Sequence, residues 1–300
     1  MERHVQFADP ALEEAVVNRL CKPVEKVTRN DLGAIRGIII AGSENSTPRG
    51  LRIPWYSDGD AMDMVVPDLA IYDGESNNEK LASDMVNYFS HIRSLHIVFP
   101  ASLKKLSFIK EVKSLKEFYI SGCEIEDWGF LESLLNLKML SVRESNFYDL
   151  SPLGDLSKRQ REAFDSEGEK ISRLFSGSLT NLEISGCGVS DITPLADGEF
   201  LRDLNLSHNS IVEILPLGNL RYLFNLSIRW NRIEDIAPIR DLRRLYQLNL
   251  RHNRIKDISV LEDFSNSNLS RLFLNHNNIL DYSPVKHLNL IESDIPAEWS

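Results

Sequence analysis

The feature that most constrains this chain is a spacing. The segment LRDLNLSHNSIVEILPLGNL begins at Leu201, LFNLSIRWNRIEDIAPIRDL at Leu223 and LYQLNLRHNRIKDISVLEDF at Leu245, so the leading leucines recur every 22 residues. A further copy, LTNLEISGCGVSDITPLADG, begins 22 residues earlier at Leu179, and another begins at Leu269, 24 residues after Leu245, with the surplus in the run from Ser265 to Asn268. Looser copies begin at Leu115 (LKEFYISGCEIEDWGFLESL), Leu137 (LKMLSVRESNFYDLSPLGDL), Ile92 (IRSLHIVFP, with LKKLSFIKEV keeping the apolar rhythm) and Ile35 (IRGIIIAGS), which makes nine units. One such unit cannot bury its own apolar face, so a period of this length requires like units stacked on one another.

Within a unit, L-x-x-L-x-L alternation places every second side chain on the inward face of one short strand. Asn209, Asn231, Asn253 and Asn277 hold the ninth position, where an amide side chain can hydrogen-bond the backbone of the turn leaving that strand. Cys123 and Cys187 hold the same position and read as small buried turn residues rather than reactive thiols. Pro194, Pro216, Pro238 and Pro284 recur in the returning arc and disfavour long helices, so short 3-10 turns or irregular backbone are expected there.

The 22-residue unit with D-I-x-P-L resembles the bacterial internalin-type leucine-rich repeats, specifically from Leu179 to about Leu288 and more loosely from Ile92 to Leu156. The eukaryotic regulatory repeats of the phosphatase-binding class share the length. The resemblance implies an α/β solenoid: a leucine-rich-repeat horseshoe with a parallel concave sheet, an irregular or 3-10 convex side and a helical N-terminal cap. The pattern FADPALEEAVVNRL…VTRNDL also resembles the cap that precedes bacterial repeats of this type, with Asp9 as N-cap, Pro10 in the first turn and Leu12, Val16, Val17 and Leu20 as the apolar face. The expected organisation is a cap over 1–34, an array over 35–288 with insertions at 41–91 and 157–178, and a C-terminal cap over 289–300 in which Ile291, Ile295 and Trp299 cover the last unit. Within the first insertion a helix is expected near Glu79 to Phe89.

The remaining residue patterns exclude more than they propose. A net charge of −10 argues against nonspecific nucleic-acid binding, which rests on neutralising phosphates. The three cysteines are odd in number and far apart, as suits reduced thiols. No apolar run approaches membrane-spanning length, and the N-terminus carries no apolar signal-peptide core, so the expected location is cytoplasmic, with secretion as the alternative. Asp58, Asp60 and Asp63 miss the spacing of a calcium loop and read as a polar turn. His208, His252 and His276 share the eighth position of their units without an evident third metal ligand. No nucleophile–base signature or phosphate loop is present, so no catalytic residues and no cofactor are expected.

Binding is therefore the expected activity, on the concave side of the C-terminal repeats. Positions 3, 5, 7, 8 and 10 there supply Asn225, Arg229, Trp230 and Arg232; then Gln247, Asn249, Arg251, His252 and Arg254; then Arg271, Phe273 and His276. From Arg221 to Lys256 there are nine Lys or Arg against three Asp or Glu, a basic stretch in an acidic protein. That contrast, with Trp and Arg as interface anchors, points to a protein partner with an acidic surface, not to nucleic acid or membrane. The sequence thus reads as a non-enzymatic protein-interaction scaffold. A secreted internalin-like adhesin, a phosphatase-regulatory repeat protein and an enzyme built on the insertions are the alternatives.

Overall fold

The computed structural model describes residues 5–42, 52–53, 62–63, 69–72, 78–98, 103–165, 178–265 and 267–297. The chain forms two compact units, one of residues 1–53 with 61–146 and one of residues 147–300 with 54–60.

The first unit opens with α1 (Pro10–Leu20), whose N-cap Asp9 accepts the Leu12 amide at 3.0 Å and whose Leu12 and Val16 are buried. A second short helix, α2 (Arg29–Leu32), starts from a reciprocal Thr28–Asp31 capping box. The strands are β1 (Gly37–Ala41), the antiparallel pair β2 (Arg52–Ile53) and β3 (Met62–Asp63), and β4 (Leu69–Tyr72). After α3 (Asn78–Phe89) come β5 (Ser94–Val98), β6 (Glu117–Ser121) and β7 (Met139–Arg143). The five longer strands run parallel in the order β4-β1-β5-β6-β7.

The stretch between the units at Ile35 and Ile92 is therefore not surface loop throughout. Its strand β4 joins the sheet outside β1, with Leu69 opposite Ile38 and Ile71 opposite Ile40. The cause is a second patch of alternating apolar residues, Leu69 and Ile71, that continues the core column. Helix α3 buries Leu81, Met85 and Phe89 at i, i+4 and i+8, and its Asp84 carboxylate accepts the Ala8 and Asp9 amides at 2.8 Å each. Burial pushes the Asp84 carboxyl up, against those two hydrogen bonds, which pull it down. Of the Asp58–Asp63 motif, Asp58 and Asp60 lie outside the described residues.

The second unit contains α4 (Ser151–Asp165), then β8 (Asn181–Ser185), β9 (Asp203–Asn205), β10 (Asn225–Ser227), β11 (Gln247–Asn249), β12 (Arg271–Phe273) and β13 (Glu292–Ser293). The strands pair in parallel and in register, so Leu204, Leu226, Leu248 and Leu272 form one buried column. The returning arcs carry 3-10 turns at Thr193–Asp197, Leu215–Asn219, Ala237–Asp241, Ser259–Phe264 and Ser283–Val285, four of which have a proline in their first turn. One arc departs: after Ser151 the chain continues as α4, because SKRQREAF offers good helix formers and no second proline. Buried Gln160 on α4 accepts the Leu179 amide at 3.0 Å. Residues 166–177 of the second insertion lie outside the described residues.

The ninth-position asparagines join neighbouring coils. Asn231 Oδ1 accepts the Ile211 amide at 3.0 Å while its Nδ2 donates to the Leu206 and Ile228 carbonyls at 3.0 Å each. Asn209, Asn253 and Asn277 repeat the pattern. In Cys123 and Cys187 the thiol turns back instead to the carbonyls of Ser121 and Ser185, at 3.2 and 3.4 Å.

The C-terminal end closes differently from the expectation. Ile291 is 79% exposed, Ile295 is half-buried, and Trp299 lies outside the described residues. Closure is polar: β13 pairs with β12, and Asp294 accepts the Leu274 amide through Oδ1 and the Arg251 Nε–H through Oδ2, both at 2.6 Å. The outer edge of β12 is thus covered by the chain itself.

Candidate functional site

The local geometry of the eighth position decides what the C-terminal repeats present. Gly122, Glu144, Gly186, His208, Trp230, His252 and His276 all hold it, and all have φ between 46° and 67°. The chain must leave the strand sharply there, and the left-handed conformation does it. Glycine adopts that conformation freely, whereas an L-residue with a side chain is strained by about 1–2 kcal/mol. Four consecutive units nevertheless place His208, Trp230, His252 and His276 at this position. Because the coils are in register, the four rings stack in sequence, with centroids 5.6, 3.7 and 4.0 Å apart and planes within 15°.

These side chains therefore sit in the turn beyond the strands, not within them, since β10 ends at Ser227 and β11 at Asn249. Trp230 is 47% exposed, and His208 and His276 are exposed as well. A cleft of about 260 Å³ opens against the stack, lined by Arg229, Trp230, Arg251, His252, Asn275 and His276. Burial first, and then the charges of His276, Arg229, Arg251 and His208, lower the His252 pKa and so disfavour its protonated form. The parallel imidazoles do not converge, and among the described residues no group of three His, Cys, Asp or Glu is arranged to hold a metal ion.

The residues expected to meet a partner divide into three groups. Asn225, Gln247, Asn249 and Phe273 are buried, which corrects their assignment as contact residues. The sheet face there is polar but already closed, as when Asn225 Nδ2 donates to Asp203 Oδ1 at 2.5 Å. Arg251 and Arg271 are reachable only in part, because Asp294 and Glu292 take their guanidinium groups at 2.6 and 2.7 Å. Arg251 also lies 4.4 Å over the Phe273 ring. The third group stays open to solvent: Arg229, Trp230, Arg232, His252, Arg254 and His276, of which His252 and Arg229 are half-buried.

Sequence reasoning missed the two carboxylates of the C-terminal segment, and no local signal marks them. It also missed the left-handed turn, for which the glycines at 122 and 186 in the same register are a readable signal.

The chain matches no family model and no curated protein. Solved structures do match. Internalin C2 from Listeria monocytogenes is 23% identical, with a TM-score of 0.58, over 96% of this chain and 93% of that one. Internalin F from the same species is 22% identical, with a TM-score of 0.53, over 97% and 96%. The complex of TLR13 with ssRNA13 is matched over 75% of this chain and 31% of that one, at 19% identity and a TM-score of 0.55. The chain has the leucine-rich-repeat solenoid fold. It is the fold of these Listeria internalins along nearly their whole length. No helix among the described residues is long and apolar enough to cross a membrane.

Proposed function

We propose that this protein is a non-enzymatic interaction scaffold that captures a protein partner on the strand-exit edge of its C-terminal repeats. The observation that carries this reading is the ladder of His208, Trp230, His252 and His276, set in left-handed turns and half open to solvent. The asparagine ladder and the apolar columns already join the coils, whereas these aromatic residues occupy strained turns that glycine would adopt without cost. A large aromatic ring bordered by arginines is the usual anchor of a protein interface. Arg229, Arg232 and Arg254 form no ion pair among the described residues and favour an acidic partner. The likeness to internalins supports a scaffold rather than a catalyst. Cys21, Cys123 and Cys187 form no disulfide, which is compatible with a reducing, cytoplasmic location.

The test is affinity capture by the full chain, with identification of the retained protein, repeated with Trp230→Gly and with Arg229→Gln/Arg254→Gln. Both variants are expected to lose the partner by about tenfold or more while keeping the wild-type melting temperature. Undiminished capture by both variants would remove the site assignment. Retention of RNA rather than protein would replace the partner class, the outcome suggested by the TLR13 complex.

A further inference from the structure

The same C-terminal repeats carry a second surface at the opposite ends of their strands. Two rows of side chains run across the coils where the chain enters the strands. The residues just before each leading leucine are Phe200, Tyr222 and Arg244, and those just after are Arg202, Phe224 and Tyr246. In the first row Phe200 stacks on Tyr222 with centroids 6.3 Å apart, and the Arg244 guanidinium lies 4.7 Å over the other side of the row, on the Tyr222 ring. In the second row Phe224 and Tyr246 stack at 5.1 Å with planes 4° apart. Between the rows lies a notch of about 250 Å³ lined by Arg202, Tyr222, Phe224 and Arg244. Phe224 and Tyr246 also border an adjoining cavity of about 400 Å³ that reaches Phe264, Leu269 and Leu288 and is otherwise lined by serine and asparagine side chains and His287.

The charge of this furrow is open. Neither Arg202 nor Arg244 forms an ion pair among the described residues. Nearby carboxylates are engaged elsewhere: Glu199 takes Arg161 at 3.2 Å, Asp263 takes Arg240 at 2.9 Å, and Asp203 accepts the amides of Asn181 and Asn225. Arg251 and Arg271, by contrast, are answered by the chain's own Asp294 and Glu292.

We propose that this furrow docks a peptide segment of a partner protein in which a carboxylate stands beside a bulky apolar side chain. The two planar guanidinium groups suit a carboxylate, which they can grip through paired N–H donors. The exposed Phe224 ring and its neighbour Tyr246, at the mouth of a cavity otherwise lined largely by serine, asparagine and His287, take the apolar side chain. A single-stranded nucleic acid fits less well. Bases stack on free ring faces, whereas Phe200 and Arg244 pack on Tyr222 and Tyr246 packs on Phe224.

The experiment uses the full chain and fluorescein-labelled octapeptides carrying Glu-Phe or Glu-Leu in a Ser-Gly background. Controls replace Glu by Gln, or Phe and Leu by Ala, and an eight-nucleotide oligothymidylate tests the other ligand class. Fluorescence anisotropy is measured for the wild type, for Arg202→Gln/Arg244→Gln and for Trp230→Gly. The acidic-apolar peptides are expected to bind wild type and Trp230→Gly alike. They should lose about tenfold or more with the Gln control and with the arginine double variant, whose melting temperature should not move. Three results would overturn the proposal: no binding of any acidic peptide, equal binding by the double variant, or tighter binding of the oligothymidylate at this furrow. Peptide binding that depends on Trp230 and not on the arginines would also overturn it.

Discussion

At the scale of single residues, the ninth-position asparagines and the eighth-position turns have opposite logic. Asn231 is buried and satisfies the Ile211 amide and the Leu206 carbonyl of the preceding coil and the Ile228 carbonyl of its own, so it stabilises by pairing groups that water cannot reach. Asn231→Ala is expected to cost about 2–4 kcal/mol, since each buried polar group left unpaired costs about 1–3 kcal/mol, and urea unfolding measures it. A loss within 0.5 kcal/mol, taken as roughly the effect of a neutral surface change, would contradict that role. Trp230 sits at φ 55°, where an Ala is strained and a Gly is not. Trp230→Gly should therefore be more stable than Trp230→Ala by about 0.5–1 kcal/mol, the reverse of the order in a helix or strand. A more stable Ala variant would place the backbone outside the left-handed region. The asparagines were legible in the sequence because their chemistry is repeated at fixed spacing. The strain at the eighth position was legible only through Gly122 and Gly186, and its consequence, a stack beyond the strand ends, was not.

At the scale of elements, two strands carry polar features that packing explains. His96 on β5 is fully buried, packs against Tyr119 with ring centroids 4.4 Å apart and planes tilted by 45°, and shares a 2.8 Å hydrogen bond between its Nε2 and Ser94 Oγ. Burial lowers its pKa from 6.5 to about 4. The folded state therefore resists a proton that the unfolded state accepts. Stability is full above about pH 6.5 and falls as pH drops towards 4, by roughly 3 kcal/mol in all. His96→Gln should remove most of this acid sensitivity between pH 7 and 4.5 in chemical unfolding. An unchanged pH slope would mean that His96 accepts the proton in the folded state. Just after β13, Asp294 holds both an edge amide and Arg251, so Asp294→Ala should destabilise by about 2–3 kcal/mol and release Arg251 from that ion pair. Asn249, now buried, should become more accessible in the same variant. These partners lie 43 residues apart, a separation that no repeat pattern specifies. Strand β4 escaped sequence reading for a related reason: LAIY lacks the leucine spacing of a repeat, yet its alternation is enough to extend the sheet.

At the scale of the whole molecule, a protein of net charge −10 keeps a basic, aromatic surface on its C-terminal repeats. The period of 22 specified a parallel, 3-10-backed solenoid, because identical spacing places identical chemistry in register along the stack. It could not specify which polar residues face solvent, since that depends on side chains that close over them. Asn225, Gln247, Asn249 and Phe273 were lost from the expected surface in this way, and Arg229, Trp230, Arg232, His252, Arg254 and His276 remained. Hydrogen exchange of the full chain, with and without the captured protein partner, tests the central claim most directly. The account predicts new protection at residues 229–232, 251–254 and 275–277, abolished by Trp230→Gly. Protection confined to other segments, or unchanged by that substitution, would contradict it.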